Sequence, residues 1–125
     1  MIYGIGTDIV EIARLSALSE RFGERLSRRI LSIGEWQAYG NSSSPVHFLA
    51  KRFAAKEAFS KALGTGLRHP VTFGAISVVN DGLGKPGFSF GPDLEAFLLD
   101  RGISNHHLSL SDERNVACAF VILEK

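Results

Sequence analysis

The sequence predicts a single α+β domain over residues 1–125, an antiparallel sheet packed with helices. Three observations carry this prediction. Residues 46–63 place apolar side chains at helical spacing without a glycine or proline, residues 107–111 alternate polar and apolar side chains, and residues 116–123 are rich in β-forming residues. With 125 residues and 45% hydrophobic composition, the chain is long enough to bury one core and too short for two.

The first elements are a strand and a helix that follow each other closely. Residues 2–7 predict a short strand whose glycines allow a close neighbour or a bulge. Asp8 and Glu11 have the spacing of a capping box, so a helix is expected to start at Asp8. Ser32 and Glu35 repeat this spacing and predict another short helix.

The longest helix is predicted over residues 46–63. Ser44 is its expected N-cap, Pro45 suits the first helical position, and Gly64 ends it. Apolar residues form one stripe of this helix, and we expect the opposite, charged side to face solvent. That charged side comprises Arg52, Lys56, Glu57 and Lys61.

The second half of the chain changes to the two-residue period of strands. Residues 71–80 predict a strand, and the glycine-rich residues 80–87 predict the reversal of a hairpin. Pro92 opens a short helix that Gly102 closes. Helices are therefore concentrated early in the chain and antiparallel strands late.

The charge balance excludes a protein whose main task is to coat nucleic acid. Fourteen Lys and Arg stand against thirteen Asp and Glu, a formal net charge of +1. One local segment is nevertheless basic, and its arginines are expected to share one exposed side. They are Arg14, Arg21, Arg25 and Arg28. This segment is the only support for an alternative interpretation, a small nucleic-acid-binding module. The segment lacks the interleaved aromatic residues that such a module is expected to have.

The single cysteine excludes a disulfide framework. Cys118 stands among apolar residues, so we expect it to behave as a small buried hydrophobe. The N-terminus has no basic region before its apolar residues and reaches Asp8 early, which predicts neither a signal peptide nor a membrane span. We therefore expect a cytoplasmic protein without a membrane partner.

Two carboxylates are candidates for chemistry, and each has a simpler interpretation. Glu57 and Lys61 are spaced as a favourable surface ion pair on a helix, and Asp8 can be an N-cap. Together, Asp8 and Glu57 could instead hold a divalent cation, with Arg52, Lys56 and Lys61 binding the phosphates that the cation also touches. Spacing alone leaves these alternatives open.

His107 is the remaining candidate from spacing. It begins an alternating strand and shares a face with Ser109 and Ser111, away from the apolar side. A structural histidine and a site residue are equally compatible with this pattern. The segment from Gly82 to Lys85 lacks the context of a phosphate-binding loop and is expected to be a turn.

Two separated segments resemble the signature motifs of one enzyme family. Residues 4–12 (Gly-Ile-Gly-Thr-Asp-Ile-Val-Glu-Ile) and 53–62 (Phe-Ala-Ala-Lys-Glu-Ala-Phe-Ser-Lys-Ala) closely resemble those of the bacterial holo-[acyl-carrier-protein] synthases, which are 4'-phosphopantetheinyl transferases. Residues 64–66, 84–86 and 107–119 agree in the same order. The resemblance covers essentially the whole chain and implies the 4'-phosphopantetheinyl transferase fold.

The resemblance implies a reaction and the residues that perform it. The family transfers 4'-phosphopantetheine from coenzyme A to a serine of apo acyl carrier protein, releasing adenosine 3',5'-bisphosphate, in support of fatty acid biosynthesis. By this resemblance Asp8 and Glu57 bind Mg²⁺ and, with Lys61, are catalytic. The residues expected to line the coenzyme A site are Arg52, Phe53, Lys61, Gly64, Lys85, Pro86 and His107. The serine proton is taken either by Glu57 through a water on the metal or by another carboxylate.

The same resemblance implies partners. Acyl carrier proteins are acidic, so Arg14, Arg21, Arg25 and Arg28 could steer and orient one. Short members of the family form homotrimers with active sites between subunits, and a homotrimer is expected here. A hydrolase of nucleotides or coenzyme A, with water in place of the serine and the same two carboxylates, is the alternative within metal-dependent chemistry.

Overall fold

A computed structural model describes the whole chain, Met1–Lys125, and confirms the α+β class. The strands are β1 (Ile2–Glu11), β2 (Ile76–Asn80), β3 (Pro86–Phe90), β4 (Asn105–Asp112) and β5 (Val116–Glu124). The helices are α1 (Ile12–Phe22), α2 (Glu24–Ile30), α3 (Trp36–Gly40), α4 (Pro45–Leu63) and α5 (Pro92–Asp100). Two single 3₁₀ turns, Ile33–Glu35 and Phe73–Ala75, precede α3 and β2. None of the helices combines the length and apolar character that crossing a membrane requires.

The main sheet has three antiparallel strands in the order β1-β5-β4, and the predicted hairpin β2-β3 forms a second, two-stranded sheet. Helix α4 packs along one face of the main sheet, which we call the inner face. The opposite, outer face is only partly covered: Ile5, Ile9 and Phe120 are 58%, 67% and 40% exposed. Large exposed apolar side chains on one sheet face are characteristic of a surface that another protein covers.

The close packing of β1 against α4 depends on two glycines. A side chain at Gly4 would overlap the carbonyl oxygen of Ala62, and one at Gly6 would overlap that of Ala58. Since both neighbours are backbone atoms of α4, the strand and helix could not accommodate a larger residue without moving apart. The expectation of a close neighbour at these glycines is confirmed.

The expected start of α1 at Asp8 is wrong. Strand β1 continues through Glu11, with Asp8 opposite Ala119 and Glu11 opposite Val116 on β5, and the helix begins at Ile12. The capping-box spacing is outweighed because β5 pairs with β1 as far as Glu11 and supplies backbone partners along this segment. The helix that follows is also interrupted, since Gly23 takes a positive φ of 57° between α1 and α2.

The other predicted helix signals are confirmed. Ser32 and Glu35 form a complete capping box at the start of the turn before α3. Pro45 occupies the first turn of α4, and Gly64 ends that helix in the left-handed conformation with φ 84°. The expected strand over residues 71–80 is shorter, because the Thr72 side chain caps a 3₁₀ turn and β2 starts only at Ile76.

Only part of the charged side of α4 is exposed as the pattern predicts. Arg52 and Lys56 are 6% and 0% exposed, and both contact the buried carboxylate of Glu35. The pattern fails here because α2 and the turn before α3 cover this side of the helix. Cys118, expected to be buried, is half-buried on the outer face of the sheet.

Candidate active site

A carboxylate and a lysine meet where β1 packs against α4. Gly6, Asp8 and Val10 alternate onto the inner face of β1, so the Asp8 side chain points toward α4. The Lys61 Nζ donates to Asp8 Oδ1 at 3.1 Å and to the Thr7 carbonyl at 3.0 Å. The Lys61 side chain is 54% exposed and that of Asp8 16%, so the pair opens to solvent on the lysine side.

Glu57 lies one turn before Lys61 on α4 and completes this group. Burial is the main cause that raises the pKa of Glu57 above its ordinary value, and the negative charge of Asp8 raises it further. The positive charges of Lys61 and Arg14 oppose these effects. Lys61 bonds Asp8 and lies four residues after Glu57 on the same face of α4, so the two carboxylates are close to the same ammonium group. Asp8, Glu57 and Lys61 are called the edge site below.

The surface ion pair considered for Glu57 and Lys61 does not form, because Lys61 pairs with Asp8 instead. Asp8 is not an N-cap either, since it lies within β1. Both simpler interpretations of these residues are therefore wrong in this structure.

The edge site has the donors for a hard cation. Carboxylate oxygens are the protein ligands that Mg²⁺ prefers, and this ion commonly takes only one or two of them beside water and substrate oxygens. No group of three or more His, Cys, Asp or Glu residues is arranged as a metal site. Two carboxylates that repel each other thus fit Mg²⁺ by the chemistry of the donor set.

A groove of about 630 Å³ adjoins the edge site. Asp8 and Lys61 line it, together with residues of the outer face that include Thr7, Ser109 and Ser111. The alternation of β4 predicts that these serines share a face, and the structure confirms it. Their position beside Asp8 depends on the strand order, which the pattern does not contain.

Arg52 and Phe53 lie on α4 but face different neighbours. The Arg52 Nε donates to Glu35 Oε2 at 3.1 Å, and its guanidinium carbon lies 3.9 Å from the centroid of the Phe48 ring. Phe53 stacks on Phe73 with ring centroids 5.7 Å apart. Arg52 is therefore already paired with protein groups, whereas a side chain that binds phosphate needs free hydrogen-bond donors.

Lys56, which the sequence suggested as a phosphate ligand, cannot contact a ligand. Its Nζ donates to Glu35 Oε1 at 2.6 Å and to the carbonyls of Ile30 and Phe73 at 2.7 and 3.0 Å. Burial lowers the pKa of Lys56 and of Arg52, against the charge of Glu35, which raises both. Glu35, Arg52 and Lys56 are called the buried network below.

The remaining residues expected to line a coenzyme A site are spread over the molecule. Gly64 ends α4, three residues after Lys61. Lys85 and Pro86 follow the tip of the β2-β3 hairpin, where Asp81 Oδ1 accepts from the Lys85 backbone N–H at 2.9 Å. His107 is exposed on the outer face, where its Nε2 lies 2.6 Å from Glu124 Oε1. Lys85, Pro86 and His107 belong neither to the edge site nor to the lining of the groove beside it.

The four arginines are exposed, as predicted, but they do not share one helix. Gly23 separates Arg14 and Arg21 on α1 from Arg25 and Arg28 on α2. The guanidinium carbons of Arg21 and Arg25 lie 5.0 and 5.5 Å from the centroid of the same ring, Phe22. Arg14 stands apart over Phe53, 5.8 Å from its centroid. These four arginines are called the basic face below.

Two carboxylates and a lysine at the junction of a sheet and a helix are typical of one class of protein, the enzymes that transfer phosphoryl groups with the help of a divalent cation. Comparison with known proteins narrows this class. The family model of the 4'-phosphopantetheinyl transferase superfamily matches residues 4–121. The chain belongs to this superfamily.

Similar proteins agree over the full length of the chain. It is 59% identical over 125 residues to the holo-[acyl-carrier-protein] synthase of Nitrosospira multiformis, covering 100% of both chains. The crystal structure of the Neisseria meningitidis synthase superposes with a TM-score of 0.98 at 50% identity, again with full coverage of both. The Helicobacter pylori synthase in complex with coenzyme A has a TM-score of 0.82 at 30% identity, with 96% and 99% coverage.

Proposed function

We propose that this protein transfers the 4'-phosphopantetheine group from coenzyme A to a serine of apo acyl carrier protein. The observation that carries the proposal is the edge site, in which Asp8, Glu57 and Lys61 meet on a fold shared in full with holo-[acyl-carrier-protein] synthases. The serine oxygen forms a new bond to the phosphorus next to pantetheine. The bond from that phosphorus to the bridging oxygen breaks, and adenosine 3',5'-bisphosphate leaves with the bridging oxygen. The serine proton passes to a base.

Asp8 and Glu57 are the residues that would hold Mg²⁺, and the ion would neutralise negative charge on the pyrophosphate. Lys61 would stabilise the oxygens of the transferred phosphate, because its ammonium is exposed and already lies at the edge of the groove. Its bond to Asp8 Oδ1 orients it toward that position. Glu57 is the candidate base, through a water on the metal, since burial and the charge of Asp8 raise its pKa and make it a stronger proton acceptor than an ordinary glutamate. Another carboxylate is the alternative base.

The coenzyme A site is proposed to form between two copies of the chain. Asp8 points to the inner face of the main sheet, whereas His107 is on the outer face. Lys85 and Pro86, at the hairpin, are likewise not gathered at the edge site. Arg52, Phe53 and Gly64 are further proposed contacts of coenzyme A, although Arg52 also pairs with Glu35.

The apolar outer face supports self-association. Ile5, Ile9 and Phe120 would be buried if another copy covered this face, which would remove a large exposed apolar surface from water. We propose a homotrimer in which each active site takes the edge site from one subunit and His107 from another.

Mixed assemblies test this arrangement. Glu57→Ala and His107→Ala chains, each impaired alone at low coenzyme A, are co-expressed and allowed to assemble at random. A site shared by two subunits is then intact in about one quarter of cases, so activity returns to about a quarter of wild type. If each site belongs to one chain, the mixture never exceeds the sum of the two separate variants. Light scattering measures the number of subunits.

The transfer itself is tested by the intact mass of apo acyl carrier protein after incubation with the protein, coenzyme A and Mg²⁺. A gain of one phosphopantetheine that EDTA abolishes supports both the reaction and its Mg²⁺ dependence. A gain that survives EDTA removes the metal from the proposal. Breakdown of coenzyme A without transfer would identify a hydrolase instead. A role in fatty acid biosynthesis and a cytoplasmic location complete the proposal.

The basic face is the proposed docking surface for the carrier protein. Its four exposed arginines offer complementary charge to an acidic partner, and such complementarity mainly raises the association rate and fixes orientation. Arg14 links this face to the edge site, because it stands over Phe53 and its charge acts on Glu57.

A further inference from the structure

Lys56 is fully buried, and every proton of its ammonium group is used. Its three hydrogen bonds go to Ile30 O, Glu35 Oε1 and Phe73 O, at 2.7, 2.6 and 3.0 Å. An ammonium has three donors and no acceptor, so none remains for a substrate. Lys56 therefore has no direct part in catalysis, although it immediately precedes Glu57.

The three partners of Lys56 belong to three separate segments. Ile30 is the last residue of α2, Glu35 belongs to the turn before α3, and Phe73 begins the turn before β2. The final carbonyls of a helix have no partner within it, and a cation there also interacts favourably with the helix dipole. Lys56 thus closes the C-terminal end of α2 and fastens it to α4.

The two fastened helices carry different parts of the proposed machinery. Helix α2 carries Arg25 and Arg28 of the basic face, and α4 carries Glu57 and Lys61 of the edge site. Lys56 is the buried side chain of α4 that binds the backbone of α2 directly. Through Phe73 it also supports Phe53, on which that ring stacks and over which Arg14 lies.

We propose that Lys56 is a positioning residue that holds the basic face in a fixed place relative to the edge site, so that a docked carrier protein presents its serine to the reacting phosphate. This inference rests on the proposed docking of an acidic carrier protein at the basic face. A rigid link between the two surfaces lowers the entropy cost of docking, because α2 does not have to become ordered when the carrier protein binds.

Lys56→Met tests the inference, because methionine keeps the apolar stem and leaves Glu35 paired with Arg52 as a neutral pair. We expect the KM for apo acyl carrier protein to rise about tenfold, since α2 must be ordered on binding, while the KM for coenzyme A stays within about twofold. Hydrogen exchange should accelerate at the last turn of α2. If Lys56→Met does not fold, Lys56→Gln, which keeps amide donors, carries the same measurements.

A matched control separates positioning from stability. Leu94 is fully buried on α5, which carries no residue of the basic face or the edge site. Leu94→Ala should lower the unfolding temperature without changing either KM, when both variants are assayed well below their unfolding transitions. An unchanged KM for the carrier protein in Lys56→Met, or an equal rise in Leu94→Ala, would overturn the inference.

Arg21→Glu, assayed alongside, distinguishes the possible failures. If Arg21→Glu raises the KM for the carrier protein and Lys56→Met does not, docking at the basic face stands and only the positioning role is wrong. If neither variant raises it, the docking surface itself is wrong and the inference falls with it. A rise in both, with Leu94→Ala unchanged, supports the positioning role.

Discussion

Lys56 and Lys61 lie on the same helix and each pairs with a carboxylate, yet the structure gives them opposite surroundings. The Lys56 side chain is 0% exposed and bonds Glu35 at 2.6 Å, whereas that of Lys61 is 54% exposed and bonds Asp8 at 3.1 Å. Five positions along a helix turn a side chain by about 140°, which directs one lysine toward α2 and the other toward β1.

The comparison separates two uses of a lysine–carboxylate ion pair. In the buried network, charges removed from water must be fully paired, so its members serve the fold. In the edge site, Lys61 is exposed to solvent, so under the proposed function it can exchange Asp8 for a substrate oxygen. Loss of a buried charge should therefore affect stability, and loss of an edge-site charge should affect activity.

The largest effect is expected from Glu57→Ala. Removing a carboxylate that would hold the metal and accept a proton should reduce transfer by about 10³-fold or more. The unfolding temperature should not fall, because Glu57 forms no ion pair in the fold. Intact-mass kinetics and thermal unfolding measure the two quantities.

Glu113→Ala, which removes an exposed glutamate near the end of β4, is the matched control and should retain wild-type stability. If Glu57→Ala transfers phosphopantetheine at the wild-type rate, Glu57 does not belong to the edge site.

The next effect tests the buried network. Glu35→Gln leaves Arg52 and Lys56 buried without a carboxylate and should destabilise the protein by about 3–5 kcal/mol. Urea unfolding measures this loss, and Glu24→Gln, which alters the exposed pair with Arg28, is the control. For that control we expect a change below about 1 kcal/mol. Equal losses in the two variants would contradict the distinction between buried and exposed pairs.

A smaller effect is expected from Arg14→Glu on the basic face. Reversing this charge should weaken the affinity for apo acyl carrier protein by about tenfold and leave that for coenzyme A nearly unchanged. Arg101→Glu, an exposed arginine at the end of α5, provides the same charge change away from the basic face. Equal losses for both substrates would show that Arg14 is not part of a docking surface.

The smallest effect concerns the stability cost of the edge site. A carboxyl group whose pKa is raised on folding binds its proton more tightly in the folded state than in the unfolded state. Ionisation of this group therefore destabilises the fold. That cost is absent below the unfolded pKa of 4.5 and is complete once pH exceeds the raised pKa. Glu57→Gln should therefore slightly raise the unfolding temperature at neutral pH.

The same substitution should have a much smaller effect at pH 4, where the carboxyl group is mostly protonated in both states. Thermal unfolding in EDTA measures the difference between the two pH values without competition from a bound cation. A lower unfolding temperature for Glu57→Gln at neutral pH would show that the ionised carboxylate supports the fold instead.

The sequence predicted much of the local structure because its signals are local. The spacing from Ser32 to Glu35 predicted a capping box, and Pro45 and Gly64 predicted the limits of α4. Asp8 shows where such signals fail, since the same spacing lost to pairing with β5, more than a hundred residues later. A capping signal competes with distant backbone partners that no local pattern contains.

By itself, the sequence determined the α+β class, the hairpin, the long helix and, through its motifs, the family to which the chain belongs. Only the tertiary structure decided which charged residues of α4 are buried and which line a site. In the sequence, Lys56 and Lys61 carry the same charge and belong to the same charged side of the predicted helix, so nothing in the pattern distinguishes them. Exposure depends on which other segments pack over each side of the helix, and those contacts join residues far apart in the chain.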